Sequence, residues 1–302
     1  MMEILLGTAT LSAMLRMAAP LLLSAVGGSF NNRAGTLNIA HEAIMLIGAF
    51  FAVWGSYLTS NPYVGALMAV LVSLFTVIIY GIFVFHIGSN PMVVSIALNT
   101  GAGGLTALLL YMIFHTRGSL VDGGIKSFRA IQLPVIRDIP YVGTILNNQI
   151  ILVYVSIVIV ALAWIVMYKT PFGLRIRAIG MNSRAAQTAG ISILKYKWAA
   201  NLISGVFDGL AGACLPLCGI SMFTEDMTAG RGFLAVAAIL VGQGNPLKVA
   251  FSCFLFGYAQ ALTISLQNMG IASQIVLMLP YAATVLVLIM SGVKGMRQKR
   301  GR

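Results

Sequence analysis

FNNRAGTLNIAHEAIMLIGAF, Phe30 to Phe50, is the stretch that decides the fold. Its second half reads as a membrane-crossing helix, yet Asn38, His41 and Glu42 lie among apolar neighbours. On a helix, Asn38, His41, Glu42 and Met45 share one face, at i, i+3, i+4 and i+7. Counted as helix from Arg33, Glu42 sits about 13 Å into the membrane at 1.5 Å per residue. An ionisable group at that depth faces the bundle interior or a water-filled route. Two readings stay open: a polar network tying this helix to its neighbours, with Arg16 as a partner, or a contribution to a pathway.

Outward from this stretch the chain stays apolar. Of 302 residues, 59% are hydrophobic and 9% charged, against about 25% charged in soluble domains. With a mean hydropathy of +0.94, the chain reads as a polytopic all-α membrane protein. Runs near 20 residues, enough to cross the hydrocarbon core, fall at about 4–29, 36–59, 63–87, 91–114, 149–168, 197–220, 248–268 and 271–291. A shorter run at 231–243 makes about nine segments in all. Continuous runs argue against a barrel, whose strands alternate. Glu3 and the lack of an early Lys or Arg argue for a retained first helix rather than a cleaved signal. We expect a single integral membrane bundle over 1–302: a first half to about 168, a connecting loop 169–197, a second half 198–292 and a basic tail 293–302.

The net charge of +12 is clustered rather than spread. Lys169, Arg175, Arg177, Arg184, Lys195 and Lys197 fill one loop, and Lys294, Arg297, Lys299, Arg300 and Arg302 fill the tail. Short basic loops stay cytoplasmic, so the charge predicts orientation and not nucleic-acid binding. This puts the C-terminus and Arg33 inside, and the N-terminus and the 115–148 loop outside. Arg16, midway along the first run, costs about 2.5–3.5 kcal/mol there if unpaired; it snorkels or pairs with a buried carboxylate.

Ala34-Gly35 to Ile44 is echoed by Ala229-Gly230 to Ile239, and each copy is followed by Asn-Pro, at 61–62 and 245–246. Run in opposite directions, they form an inverted repeat, which places a substrate route between two halves. The short run beginning at Arg231 reaches only about 18 Å, so it is expected to be broken or re-entrant, a form tolerated where it lines a cavity or is buried in protein. Gly205, Gly209 and Gly212, and separately Gly101 and Gly104, form small-residue seams for close helix approach.

Enzyme and metal signatures are absent from the sequence. His41-Glu42 lacks the second His of a zinc motif, Gly123 to Ser127 lacks P-loop spacing, and Cys214, Cys218 and Cys253 lie in apolar runs and read as small buried hydrophobes. Asn99, Asn201 and Asp208 join Asn38, His41 and Glu42 as candidate pathway groups; a single amide in a membrane helix otherwise serves as interhelical glue. In the loop TPFGLRIRAIGMNSRAAQTAGI, Thr170 to Ile191, Asn182 or Ser183 can cap a short helix that Gly190 closes. The small Ala185-Ala186 surface suits docking into a groove.

This loop resembles the coupling loop of bacterial ABC-importer permeases serving branched-chain amino acids, ribose-type sugars and nucleosides. The resemblance rests on Phe172 to Asn182, Ala185-Ala186, Gly190-Ile191, Ser204-Gly205, Gly209 to Gly212, Thr228 to Phe233 and Leu279-Pro280-Tyr281. Arg33-Ala34-Gly35, Asn38-Ile39, Glu42, Met45-Leu46 and Gly48-Ala49 resemble the nucleoside (simple-sugar-like) branch. The chain departs from that branch at Ala43, where Gly is usual, and at Ser183, where Pro is usual.

The resemblance implies a permease subunit in a bacterial cell membrane, moving a small polar solute, nucleosides first, with simple sugars or branched-chain amino acids as alternatives. It implies no ATP site in the chain, an ATP-binding cassette ATPase on the inside, a second, different permease chain and an extracytoplasmic solute-binding protein. It adds Phe233 to the pathway, and for ATPase coupling it implies Phe172, Gly173, Arg177, Gly180, Asn182, Arg184, Ala185, Ala186 and Gly190. A proton-coupled carrier using Glu42 or Asp208 is the alternative of another class.

Overall fold

The computed structural model describes residues 7–132 and 142–267. It is mostly helical, and seven of its helices are long and apolar enough to cross a membrane. In chain order these are α1 (Thr8–Arg33), α2 (His41–Thr59), α3 (Pro62–Gly81, continued by a π-helical turn Ile82–His86), α4 (Pro91–Phe114), then, after the short helix α5 (Val142–Leu146), α6 (Ile151–Lys169). Two short helices, α7 (Pro171–Met181) and α8 (Ser183–Thr188), precede α9 (Ile193–Leu217). The last are α10 (Arg231–Val241) and α11 (Pro246–Gln267). The run at 271–291 and the basic tail lie outside the described residues.

Local chemistry sets these boundaries. The helices α3, α4 and α11 each start at Asn-Pro, and the Asn61, Asn90 and Asn245 side chains accept from the backbone N–H two residues on. Proline fits the first turn because its missing N–H would be unpaired there anyway. α7 starts the same way, at Thr170-Pro171. Two two-stranded ribbons, Ser119–Val121 with Met222–Thr224 and Ala130–Ile131 with Gln149–Ile150, both antiparallel, lie at the end of the bundle opposite α7 and α8.

α1, α2 and α9 form the enclosed centre, with α3, α4 and α6 on the outside. The α9 seam is tight. A Cβ on Gly205 would press on Val77, one on Gly209 on Val70, and one on Gly212 would overlap the Met45 carbonyl. The α4 glycines differ: Gly101 and Gly104 have nothing within 4 Å among the described residues.

Two expectations are corrected. α2 begins at His41 and not near 36, because Asn38 Oδ1 accepts from Ala40 N–H and holds the chain in a turn. Asn38 therefore precedes the helix, and a helical rise from Arg33 does not give the depth of Glu42. Among the described residues Arg16 pairs with no buried carboxylate; it is exposed and donates to Ser12 Oγ at 3.2 Å. Along α1 it stands 17 residues, about 25 Å, from Arg33. That brings it near the far face of a roughly 30 Å core, where snorkelling is short.

Candidate functional site

The opening stretch delivers three buried polar side chains: His41 and Glu42 to the junction of α1, α2, α9 and α10, and Asn38 to the turn before α2, where its Oδ1 accepts from Ser95 Oγ of α4 at 3.5 Å. His41 Nδ1 lies 2.9 Å from both Asp208 carboxylate oxygens. Ser24 Oγ donates to Asp208 Oδ1 at 2.5 Å and Ser204 Oγ to Oδ2 at 3.2 Å. Asp208 is thus held by three side chains from three helices, the condition for keeping a buried carboxylate. About two turns back along α9 from Asp208, Asn201 Nδ2 donates to the Val77 carbonyl at 2.9 Å, and Asn31 Nδ2 donates to Asn201 Oδ1 at 3.5 Å. The 201–204–208 face of α9 is therefore inward and bonded.

Glu42 has a different partner. Its Oε1 accepts from Gly230 N–H at 2.8 Å and its Oε2 from Gly232 N–H at 2.6 Å. These are orphan donors at the start of α10, so Glu42 caps a helix that is remote in sequence. The positive end of that helix favours the negative charge. Gly230 takes a left-handed φ of +79°, and a Cβ on Gly232 would overlap the Glu42 backbone. Gly35, its counterpart in the echoed stretch, also has a left-handed φ, +75°.

Asn99 works on α2 from α4: its Oδ1 accepts from Ala43 N–H at 3.0 Å and its Nδ2 donates to the Ile39 carbonyl at 3.2 Å. Ser95 Oγ accepts from Ile39 N–H at 3.1 Å. The start of α2 is thus satisfied from outside itself. Phe233 stands apart: it is 48% exposed, on the face of α10 turned away from the buried cluster.

The α7–α8 unit sits at the Arg33 end. Asn182 Oδ1 caps α8 through Ala185 N–H at 3.1 Å, and Gly190 follows with φ +76°. Ile176, Ile179 and Ala186 are buried against the bundle, while Asn182, Arg184, Ala185 and Gly190 are exposed. Phe172 packs on Tyr196, and Arg177 stacks on the Tyr168 ring at 4.7 Å. Gly173 closes on the Met167 backbone and Gly180 on the Arg33 carbonyl so tightly that a Cβ would overlap either. Ala185 and Ala186, adjacent in sequence, thus face opposite ways.

Sequence reading missed Ser24, Arg33 and Tyr168 as site members, and the helical character of Pro171–Met181. Only the last had a usable signal, Thr170-Pro171. Among the described residues no cluster of His, Cys, Asp or Glu could hold a metal.

The described residues form a helical bundle of membrane-spanning type, with a short helix presented at one end and a buried Asp208–His41 pair inside. The family model described as branched-chain amino acid transport system / permease component matches residues 10–290, and the chain belongs to this family. It is 34% identical to the guanosine ABC transporter permease protein NupQ of Bacillus subtilis, over 90% of this chain and 88% of that one. It is 33% identical to the nucleoside ABC transporter permease protein NupC of Lactococcus lactis, over 91% and 89%. A putative glucose ABC transporter permease protein, TsgC13 of Haloferax volcanii, is 28% identical over 87% and 79%. No solved structure gives a significant match.

Proposed function

We propose that the chain is one permease subunit of a bacterial ABC importer for nucleosides. The observation that carries the importer reading is the α7–α8 unit: α8 presents Arg184 and Ala185 outward while α7 is locked to the last turn of α1 through Gly180. A short helix held this rigidly and left uncovered suits an ATPase groove. The solute assignment rests on the two nucleoside-named relatives at 33–34% identity.

In this reading a partner ATPase hydrolyses ATP at the α7–α8 end, a second permease chain completes the route, and a solute-binding protein delivers from the ribbon end. The Arg33 end and the C-terminus face the cytoplasm. α10, with 11 residues, is a broken or re-entrant element relating two inverted halves. Asn38, His41, Glu42, Asn99, Asn201 and Asp208 shape the wall of the pathway and hold its helices in register, and Phe233 faces the solute.

The test is reconstitution in proteoliposomes with the ATPase, the second permease and the binding protein. Vanadate-sensitive, ATP-dependent uptake of guanosine or adenosine is expected, with glucose and leucine as comparison solutes. Uptake driven by a proton gradient without ATP would overturn the reading in favour of the carrier.

A further inference from the structure

We propose that Arg33, which no sequence motif for coupling includes, is the positioning residue that joins the ATPase-facing α7–α8 unit to α10, on the importer function proposed above. Three contacts meet at this one residue. Its backbone carbonyl is the surface against which Gly180 of α7 closes, with no room for a side chain, and Gly35 approaches the same glycine. Its Nε donates to the Gly244 carbonyl at 3.1 Å, in the turn that joins α10 to α11. Its Nη2 donates to Tyr168 Oη at 3.3 Å near the end of α6, and Arg177 of α7 stacks on that same ring.

Gly244 itself fits a place that only glycine fills without strain. Its φ is +63°, and a Cβ there would sit 2.6 Å from Asn32 Oδ1 and 3.1 Å from Arg33 Cγ. The turn after α10 is therefore fitted to the end of α1 by backbone shape as well as by the guanidinium. At its other end α10 is held by Glu42. This 11-residue helix is gripped at both ends, once by the α7-bearing end of the bundle and once by the buried cluster. A displacement of α7 moves the Arg33 carbonyl, and the planar guanidinium carries that displacement to Gly244 and so to α10. Arg33 has no carboxylate within ion-pair distance among the described residues, and its Nε and one Nη2 donor go to these two uncharged acceptors.

Lysine is a poor substitute, since one ammonium lacks the fork that reaches two separated acceptors. Coupling free energies of this kind correspond to roughly 5- to 150-fold effects.

The experiment uses the assembled complex in proteoliposomes and reads solute moved per ATP hydrolysed, alongside ATPase co-purification. Arg33→Ala is expected to keep ATPase association within about twofold of wild type while the transport-to-hydrolysis ratio falls about tenfold. Arg33→Lys and Tyr168→Phe are expected to fall by about three- to fivefold in the same ratio, and they carry the test if Arg33→Ala fails to assemble. A merely structural Arg33 would lower transport and hydrolysis together at constant ratio. That result, or an unchanged ratio in assembled variants, overturns the proposal. Failure of the wild-type chain to bind any ATPase overturns the importer reading itself, and this inference with it.

Discussion

Glu42 accepts two backbone N–H groups at the start of α10, and both donors belong to glycines about 190 residues away. Glu42→Ala leaves these donors unpaired in a buried site, at about 1–3 kcal/mol each, and removes the charge that the helix end favours. We expect a marked drop in the apparent Tm of the detergent-solubilised chain and strong loss of uptake. Glu42→Gln keeps one acceptor oxygen and should lose less than Glu42→Ala. Unchanged thermal unfolding of Glu42→Ala would show that the cap contributes nothing. The oddity of Glu42 was legible in the sequence because a carboxylate among apolar residues needs a reason. Its partner was not, since every residue except proline carries an N–H and none advertises which is unsatisfied. Ser24 was hidden for a related reason: a lone serine in an apolar helix looks like packing until Asp208 is seen 2.5 Å away.

The elements were legible where their ends carry chemistry. Asn-Pro marks α3, α4 and α11, and the Asn182 cap and Gly190 bracket α8. α2 starts later than its apolar run because Asn38 turns the chain ahead of it, and the Ile39 and Ala43 N–H groups on either side of that start go to Ser95 and Asn99 of α4, partners that only the fold brings near. Burial also divides sequence motifs that look uniform. Gly212→Ala forces a Cβ into the Met45 carbonyl, with an expected loss of about 1–3 kcal/mol for overpacking. Gly101→Ala and Gly104→Ala meet open space and should leave the stability of the isolated chain unchanged or slightly raised, since Ala is the better helix former by about 1 kcal/mol. Thermal unfolding of the three variants checks this ordering, and equal effects would contradict the seam geometry. The same distinction splits Ala185 from Ala186. Ala186→Trp should disturb the seating of α8, because the side chain is buried. Ala185→Trp should leave the fold intact and block ATPase association, because that side chain faces outward. Arg184→Ala should do little, as an exposed ion pair is worth about 0–1 kcal/mol. Co-purification with the ATPase reads all three. Full association by Ala185→Trp with loss in Arg184→Ala would replace docking by shape with docking by charge.

At the scale of the molecule, the two ends of the bundle differ in charge. The α7–α8 end carries Arg33, Lys169, Arg175, Arg177, Arg184, Lys195, Lys197 and Lys248 with no acid among its described residues. The ribbon end mixes Arg117, Lys126 and Arg129 with Asp122, Glu225 and Asp226. Insertion keeps short Lys- and Arg-rich loops on the cytoplasmic side, and acids contribute little to that choice. The ribbon end is therefore expected to be the one that crosses, despite its own cations, since the segment from 115 to 148 is longer and less constrained. Ser183 at the start of α8 and Val121 at the ribbon report the two ends, and Val121 is 73% exposed. With Cys214, Cys218 and Cys253 first replaced, a membrane-impermeant maleimide applied to intact cells should label Val121→Cys and spare Ser183→Cys. Opening the membrane should then make Ser183→Cys reactive. Labelling of Ser183→Cys from outside would reverse the orientation of the bundle, put the α7–α8 unit out of reach of any cytoplasmic ATPase, and remove the coupling route through Arg33 along with it.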